Sequence, residues 1–276
     1  MAGTLYIVPT PIGNMGDMTP RAREVLESVD FVASEDTRIG GKLLMLLGLK
    51  KPLVSYHEHT SKGATDAIIA RIQNGESCAL ITDAGTPAVS DPGEKLVCAC
   101  ASAGVEITAL PGACAAVTAI SASGLPSRRF CFEGFLPENN RERRERIEEL
   151  SREKRTFILY ISPHDIEDYL TELASALTDR KCVLAKELTK LHERYFRGTV
   201  TELTEKFKTL TPSEKKGEFV MIIEGRSEDD AFWKDMSVED HVEHYISLGL
   251  SKMDACKAAA RDRGVGKGEI YRIVNN

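Results

Sequence analysis

The chain has 276 residues, of which 42% are hydrophobic and 28% are charged. These proportions are typical of a globular protein, and they exclude a fibrous or disordered chain. The formal net charge of -6 argues against a general polyanion binder, because neutralising phosphates requires concentrated Lys and Arg. At roughly 150 residues per domain, the length predicts about two domains, each with its own core.

The sequence predicts a cytoplasmic protein without a membrane segment. No apolar run approaches the roughly 20 residues that span a bilayer, and the first residues lack the pattern of a signal peptide. The seven cysteines are an odd number and lie mostly in apolar segments, as Cys78, Cys182 and Cys256 do. Such cysteines are typically reduced and act as small hydrophobic residues.

The first half of the chain alternates short apolar runs with helical segments. Thr19 and Pro20 predict the start of the first helix, as its N-cap and its first residue. Strands that alternate with helices predict a mainly parallel sheet with helices on both faces. The predicted strands, each followed by Gly, Pro or acidic residues, are 5–8, 31–34, 78–82 and 105–110.

A second lobe follows a break at 121–129, where Gly124-Leu125-Pro126 predicts a hinge. The order of elements predicts a mixed α/β lobe, with strands near 130–132, 156–161, 182–185 and 219–223, and helices near 141–153, 165–177 and 200–209. We therefore predict three parts: an N-terminal α/β lobe with the cofactor loops at 1–122, a second α/β lobe that closes the cleft at 123–225, and an acidic linker with a helical tail at 226–276.

The tail has a charge pattern of its own. Residues 226–244 carry two basic and seven acidic residues, whereas 251–276 carry six basic and three acidic residues. Ser251 with Asp254 predicts a capped helix, and 264–266 predicts a Gly-rich turn into another helix. A helix-turn-helix and a hairpin that only packs or dimerises fit this pattern equally well, and Trp233 is predicted to anchor the linker.

The Gly- and Pro-rich loops, led by 9–14 and 82–87, follow predicted strands. Open parallel sheets bind ligands beyond the carboxyl ends of their strands, so these loops are the predicted cofactor site. Neither G-x-G-x-x-G nor G-x-x-x-x-G-K-[ST] occurs, which argues against a nicotinamide cofactor and against a nucleotide hydrolase. A cofactor that lacks a pyrophosphate fits better, and S-adenosylmethionine is such a cofactor.

Motifs over nearly the whole chain resemble, in order, those of the tetrapyrrole methylase superfamily. They are Pro9-Thr10-Pro11-Ile12-Gly13-Asn14, Glu35-Asp36-Thr37-Arg38, Thr82-Asp83-Ala84-Gly85-Thr86-Pro87, Ser90-Asp91-Pro92-Gly93 and Leu110-Pro111-Gly112. Three more motifs resemble the branch that methylates small-subunit ribosomal RNA: Ser123-Gly124-Leu125-Pro126, Phe132-Glu133-Gly134-Phe135-Leu136-Pro137 and Lys186-Glu187-Leu188-Thr189-Lys190.

The resemblance implies a two-lobed homodimer that binds S-adenosylmethionine between its lobes. It also implies 2'-O-methylation of a cytidine in the decoding region of 16S rRNA, within the 30S subunit. Methylation of a tetrapyrrole ring and a non-catalytic RNA-binding assembly factor are the alternatives. The cofactor-binding positions that the resemblance implies are Pro11, Asp83, Gly85, Thr86, Val89, Ala113, Cys114, Tyr160, Ala185 and Glu218.

Methyl transfer from a sulfonium is an in-line displacement in which positioning supplies much of the acceleration, and it needs no metal. His57-Glu58-His59 is more typical of surface residues than of a metal site. A ribose hydroxyl needs a general base or an electrostatic aid within hydrogen-bond reach. The candidates are Asp36, Glu187 and Lys190. The pattern favours a structural role over catalysis for each of them: Asp36 would pair with Arg38, and Glu187 would orient Lys190 or Arg194.

The candidate RNA contacts are basic residues. Lys190, which is also a catalytic candidate, could equally hold an RNA phosphate. Residues 141–155 include seven basic and five acidic side chains, and Glu142 and Arg146 have the i,i+4 spacing of a helical ion pair. This pattern favours a salt-bridged solvated face over an RNA-facing arm. The residues that would contact RNA are Arg38, Arg141, Arg143, Arg144 and Lys267.

Overall fold

The computed structural model describes residues 2–163, 165–177, 179–227, 233–234 and 236–275. The chain divides into two compact units, Met1–Gly225 and Arg226–Asn276. Within the described residues, the first unit contains two five-stranded sheets, and the second is helical. Four acidic residues of the predicted linker lie outside the described residues: Glu228, Asp229, Asp230 and Asp235.

The first sheet confirms the predicted parallel arrangement. Its strands are β1 (Thr4–Ile7), β2 (Phe31–Ser34), β3 (Leu53–Ser55), β4 (Cys78–Ile81) and β5 (Glu106–Ala109). They are parallel throughout and lie in the order β3-β2-β4-β1-β5. The central strands β2 and β4 are completely buried. This matches their continuous apolar runs, as expected of strands that are covered on both faces.

Helices cover both faces of this sheet, as predicted. They are α1 (Pro20–Ser28), α2 (Thr37–Leu46), α3 (Lys62–Gln73) and α4 (Glu94–Ser102), with a short 3-10 helix at Met15–Asp17. Leu5 of β1 belongs to a core that includes Ile68 of α3 and Leu96 of α4. Val32 of β2 belongs to another core that includes Leu26 of α1. The Thr19 side chain accepts the Ala22 N–H and so caps α1 as its sequence indicates.

The second lobe is α/β, as predicted, and its sheet combines parallel and antiparallel strands. Its strands are β6 (Phe130–Phe135), β7 (Thr156–Ile161), β8 (Lys181–Lys186), β9 (Arg194–Thr199) and β10 (Phe219–Ile223). Their order is β6-β7-β10-β8-β9, and β6 with β7 forms the one parallel pair. Helix α5 (Ala115–Ser123) packs on one face. The other face is covered by α6 (Asn140–Ser151), α7 (Ile166–Leu177) and α8 (Val200–Lys208).

The second unit consists of α9 (Val238–Ser247), α10 (Lys252–Arg263) and α11 (Lys267–Val274) in its described part. Val242, Ala259 and Ile270 belong to one core, so all three helices contribute to it. Gly264 has a φ of 66° and ends α10, where the sequence predicts the turn. Every described helix of the chain is too short or too polar to span a lipid bilayer.

Candidate cofactor cavity and catalytic edge

Three loops at the carboxyl end of the first sheet are bonded to one another. The Thr10 N–H donates to the Gly85 carbonyl at 2.9 Å, and the Gly85 N–H returns a bond to the Thr10 carbonyl at 3.1 Å. Thr86 Oγ1 donates to the Ala113 carbonyl at 2.8 Å. A Cβ on Gly112 would lie 2.5 Å from Cβ of Pro9, so this close approach requires glycine. The loops therefore form a stiff wall.

A cavity of about 380 Å³ lies between this wall and the second sheet. The loop side includes Ile12 and Ala84, and the opposite side includes Phe135, Leu188 and Val220. Six of the ten cofactor positions implied by the sequence line it: Gly85, Thr86, Val89, Cys114, Tyr160 and Glu218. The site is thus concave and mostly apolar with a few polar groups, as small-molecule sites usually are.

The other four positions do not line this cavity. Pro11 and Asp83 line a neighbouring depression of about 200 Å³. Ala113 holds Thr86 through its carbonyl, and Ala185 is completely buried on β8, beside Val220 of β10.

Sequence reasoning missed several residues of the cavity wall. Phe135, Leu188 and Asp91 line the cavity and lie within the family motifs, but the resemblance implies no cofactor contact at these three positions. Ser162 and Pro163 follow β7, and their position after a strand is the one signal that points to them.

Tyr160 provides an aromatic surface with a fixed hydroxyl. Its ring makes edge contacts with Phe132 at 4.9 Å and Phe135 at 5.5 Å, measured between ring centroids. The Ala116 N–H donates to the Tyr160 hydroxyl at 3.2 Å. Burial raises the pKa of Tyr160 to about 12, so the hydroxyl stays protonated and can donate a hydrogen bond. This wall suits a flat heteroaromatic group with a hydrogen-bond acceptor.

Asp36 forms an ion pair with Arg38, which is the structural role that the sequence offers as the alternative to catalysis. It caps α2 by accepting the Arg38 N–H at 2.8 Å, and its carboxylate lies 2.5 Å from Arg38 Nη2. The hydrogen bonds from Arg38 lower the pKa of Asp36 to about 2. Its own N–H donates to Asp83 Oδ1 at 3.2 Å, and Asp36 is not part of the cavity wall.

Lys190, Glu187 and Glu218 form a network at the edge of the cavity. Lys190 Nζ lies 3.0 Å from Glu187 Oε1 and 3.1 Å from Glu218 Oε2, and Glu218 lines the cavity. A Cβ on Gly13 would lie 2.5 Å from Cγ of Lys190, so the first loop of the other sheet packs directly against the lysine. The structure therefore brings Glu187 and Lys190 together and keeps Asp36 apart from them.

Both groups of the pair are charged near neutral pH. Burial alone would raise the pKa of Glu187, but the hydrogen bonds from the Glu218 N–H and from Lys190 outweigh burial and lower it. Burial alone would lower the pKa of Lys190, but the bonds to Glu187 and Glu218 raise it instead. Glu187 also has a φ of 51°, a conformation that non-glycine residues rarely adopt outside functional or tightly held sites.

The predicted RNA contacts differ in their exposure, and Arg143 is a correction. Its guanidinium is buried, lies 2.9 Å from Glu172 Oε1 and donates to the carbonyls of Pro137 and Glu138. All of its donor directions are used inside the lobe, so it is not available to a phosphate. Arg144 is exposed.

The other predicted contacts lie at the surface. Arg38 and Arg141 are exposed but paired, with Asp36 and Glu145, and Lys267 is exposed at the start of α11. The expected pair of Glu142 with Arg146 is replaced by bonds from Arg146 to Glu133 and Glu149, because β6 places Glu133 beside α6.

The rings of His57 and His59 contact each other edge to face, with their centroids 6.3 Å apart. In the part of the chain that the structure describes, no three His, Cys, Asp or Glu side chains are grouped closely enough to hold a metal ion.

Comparison with known proteins identifies the class. A family model for Tetrapyrrole (Corrin/Porphyrin) Methylases matches residues 4–204, and the chain belongs to this family. It is 42% identical over 273 residues to ribosomal RNA small subunit methyltransferase I of Synechocystis sp., covering 98% of this chain and 97% of that protein. The protein of the same name from Halalkalibacterium halodurans is 44% identical over 277 residues, covering 99% and 95%.

The solved structures agree on the fold. Uroporphyrin-III C-methyltransferase of Thermus thermophilus, crystallised with S-adenosylhomocysteine, has a TM-score of 0.55 at 15% identity, covering 80% of this chain and 97% of that chain. The family confirms the prediction that this chain is a methyltransferase that uses S-adenosylmethionine. The cavity fits this cofactor, because it offers apolar and aromatic walls beside open glycine backbone at Gly85.

Proposed function

We propose that the chain transfers the methyl group of S-adenosylmethionine to the ribose 2'-oxygen of a cytidine in the decoding region of 16S rRNA. Its substrate in this proposal is the assembled 30S subunit, and its active form is a homodimer. The observation that carries the proposal is the Lys190 network, which joins the cofactor cavity to a basic depression. The ribosomal RNA methyltransferases among its relatives support RNA as the substrate.

The basic depression has a volume of about 510 Å³ and is lined by Lys186, His192, Arg194 and Lys216 together with the carboxylates of Glu187 and Glu214. The Lys186 ammonium donates to the Glu214 carbonyl. The depression touches the catalytic edge, because Glu187 lines the depression and accepts the Glu218 N–H at 2.9 Å. Arg194 has one distant carboxylate partner, Glu214 at 3.8 Å, and is exposed. A phosphodiester bound here would bring the adjoining ribose towards the cavity.

The chain's own residues then act on the hydroxyl group. S-adenosylmethionine supplies a methyl group that is already activated as a sulfonium. The Lys190 ammonium, fixed by two carboxylates, stabilises negative charge that develops on the 2'-oxygen. Lys190 and the Glu218 N–H both donate to Glu187 Oε1. We therefore assign the other carboxylate oxygen, Oε2, as the acceptor of the proton from the 2'-hydroxyl. The bound cofactor would supply its methyl group to the 2'-oxygen and would leave as S-adenosylhomocysteine, which balances the transfer.

Further RNA contacts in this proposal come from exposed basic side chains. Arg141 and Arg144 lie on α6, Arg38 lies at the start of α2, and Lys267 starts α11 in the second unit. Each surface contact adds affinity that weakens as the salt concentration rises.

The proposed homodimer is tested by sedimentation velocity over a concentration series. A monomer at every concentration would refute the proposed dimer.

The decisive experiment is nucleoside mapping. The protein is incubated with labelled S-adenosylmethionine and either naked 16S rRNA or 30S subunits, and the RNA is then digested and analysed. We expect one 2'-O-methylcytidine in the decoding region, formed faster on 30S subunits. Label on a base, or on neither RNA, would overturn the proposal.

Lys190→Ala tests the catalytic edge. We expect single-turnover methylation of 30S subunits to slow by about a hundredfold, because the charge next to the 2'-oxygen is lost. Lys208→Ala is the matched control, since it removes an ion pair of the same i,i+3 spacing, with Glu205. Calorimetry checks that the variant still binds the cofactor. Equal rates for both variants would exclude Lys190 from catalysis.

A further inference from the structure

Asp91 lies in the wall of the cofactor cavity and has no part in the mechanism above. Its neighbours Val89 and Ser90 line the same cavity. Its side chain is partly buried, and it also lines a second depression of about 300 Å³ that holds His57 and Lys95. Asp91 therefore separates the cofactor site from a second, more polar pocket.

The loop that carries Asp91 is held in a strained conformation. Ala88 has a φ of 65° and Ser90 a φ of 57°, each a costly conformation for a residue with a side chain. The second sheet lies directly against this loop, because a Cβ on Gly134 would collide with Oγ of Ser90. Strain that the surrounding structure maintains is common at ligand sites, which points to a ligand contact in this loop.

The charged side chains in the described wall of the cavity are all acidic. Among the described residues, the cavity wall contains no Lys, Arg or His, and its carboxylates are Asp91 and Glu218. Glu218 is paired with Lys190 at 3.1 Å. Asp91 has neither a hydrogen bond nor an ion pair with another described residue. A ligand in this cavity thus meets one carboxylate whose charge is not neutralised.

The groups around Asp91 make its negative charge unfavourable. Burial, followed by the nearby carboxylates of Glu35 and Asp83, raises the pKa of Asp91 to about 7. Tyr160 faces it within the cavity, and its phenol is neutral. The second depression brings charged or titratable groups of both signs towards it: His57, Glu58, Glu94 and Lys95. A positive ligand would relieve this repulsion.

We infer that Asp91 is the anionic partner of the methionyl end of S-adenosylmethionine, where a sulfonium and an ammonium group outweigh the single negative charge of the α-carboxylate. The cavity otherwise offers these charges only the paired carboxylate of Glu218. Binding of the cation then favours the ionised form of Asp91 and releases a proton. It follows that protons compete with the cofactor, so that affinity rises with pH while Asp91 titrates.

Calorimetry on the full chain without RNA tests this inference. From pH 7 down to about pH 5.5 we expect the wild-type Kd for S-adenosylmethionine to rise by about tenfold. The window stops at pH 7 because an α-amino group itself begins to lose its proton at about 7.7. Asp91→Asn should bind about tenfold more weakly at pH 7 and lose this pH dependence. Glu58→Gln, in the second depression only, should keep it.

Two further ligands distinguish charge recognition from a structural defect. 5'-Methylthioadenosine lacks both positive charges, so Asp91→Asn should bind it as the wild type does. S-adenosylhomocysteine lacks the sulfonium charge but keeps the ammonium and carboxylate groups. A smaller loss than for S-adenosylmethionine assigns Asp91 to the sulfonium, and an equal loss assigns it to the ammonium group.

The inference fails if Asp91→Asn keeps the wild-type affinity and pH dependence for S-adenosylmethionine. It also fails if the variant loses affinity for 5'-methylthioadenosine to the same extent. Asp91→Glu restores the charge and should recover part of the affinity for S-adenosylmethionine, which excludes misfolding as the cause. None of these measurements depends on the RNA substrate, so they succeed or fail independently of the proposed 2'-O-methylation.

Discussion

Gly134 and Gly124 both have a positive φ, at 67° and 78°, but only Gly134 is crowded. A Cβ on Gly134 would meet Oγ of Ser90, whereas a Cβ on Gly124 would meet no atom within 4 Å. The two positions therefore separate the cost of backbone strain from the cost of a collision with the Asp91 loop.

We expect Gly124→Ala to lower the free energy of unfolding by about 1 kcal/mol through strain alone. Gly134→Ala should lose about 1–2 kcal/mol more and also weaken cofactor binding, because Ser90 must move. Urea unfolding and calorimetry measure the two effects. Equal losses of stability with unchanged cofactor affinity would show that Ser90 and its loop adapt freely.

The ionic residues show how much of the site could be predicted at this scale. The sequence indicates a pair of Asp36 with Arg38, which forms, but it leaves Glu187 with either Lys190 or Arg194 as its partner. In the structure Glu187 pairs with Lys190, and Arg194 lies near Glu214 instead. Asp91 was in a recognised motif but could not be chosen, because Glu35 and Asp83 come close to it only through the fold. Its environment is a property of two loops, the loop after β2 with Glu35 and the loop after β4 with Asp83 and Asp91 itself.

At the level of elements, Arg143 joins α6 to α7 through Glu172. Removing one member of a buried pair leaves the other charge without its partner, so Arg143→Ala should lower the free energy of unfolding by about 3 kcal/mol. Arg144→Ala, at the next and exposed position, should change it by less than about 0.5 kcal/mol. Urea unfolding measures both.

RNA binding by the same two variants gives the complementary result. Arg144→Ala should weaken binding to 30S subunits and reduce its salt dependence, whereas Arg143→Ala should not, when measured where it is folded. A stable Arg143→Ala variant that had lost RNA affinity would reverse the assignment of Arg143 to the interior of the lobe.

The strands that sequence reasoning missed are both edge strands. β3 has three residues, none of them buried, and β9 contains two arginines. An edge strand has one exposed side, so it needs neither a continuous apolar run nor strict alternation. β4 and β10 are completely buried, and their apolar runs were sufficient to predict them.

For the molecule as two units, Trp233 provides a selective probe, because it is the only tryptophan of the chain and its ring stacks on His241 in the second unit. His241 Nδ1 accepts a hydrogen bond from Arg263 Nε at 3.0 Å, which requires a neutral imidazole at that nitrogen. Burial, and then the positive charge of Arg263, lower the pKa of His241. Trp233 fluorescence therefore reports on this unit alone.

The second unit should become less stable as the pH falls below about 6.5, where the histidine of the unfolded chain takes up a proton and His241 does not. This loss continues until the pH reaches the lowered pKa of the folded unit. Thermal unfolding followed by Trp233 fluorescence measures it at several pH values. His241→Gln should remove the dependence, and His244→Gln should keep it. A pH-independent midpoint in the wild type would contradict the prediction.

The sequence by itself determined the parallel sheet, the mixed second lobe, the family and the cofactor, because strand periodicity and ordered motifs are local properties of the chain. Only the tertiary structure decided which residues share a surface. In the folded protein Lys190 lies against Gly13, Arg143 is buried, and Pro11 and Asp83 line a neighbouring depression instead of the main cavity. Burial and charge proximity arise between segments distant in sequence, and for that reason neither could be derived from spacing.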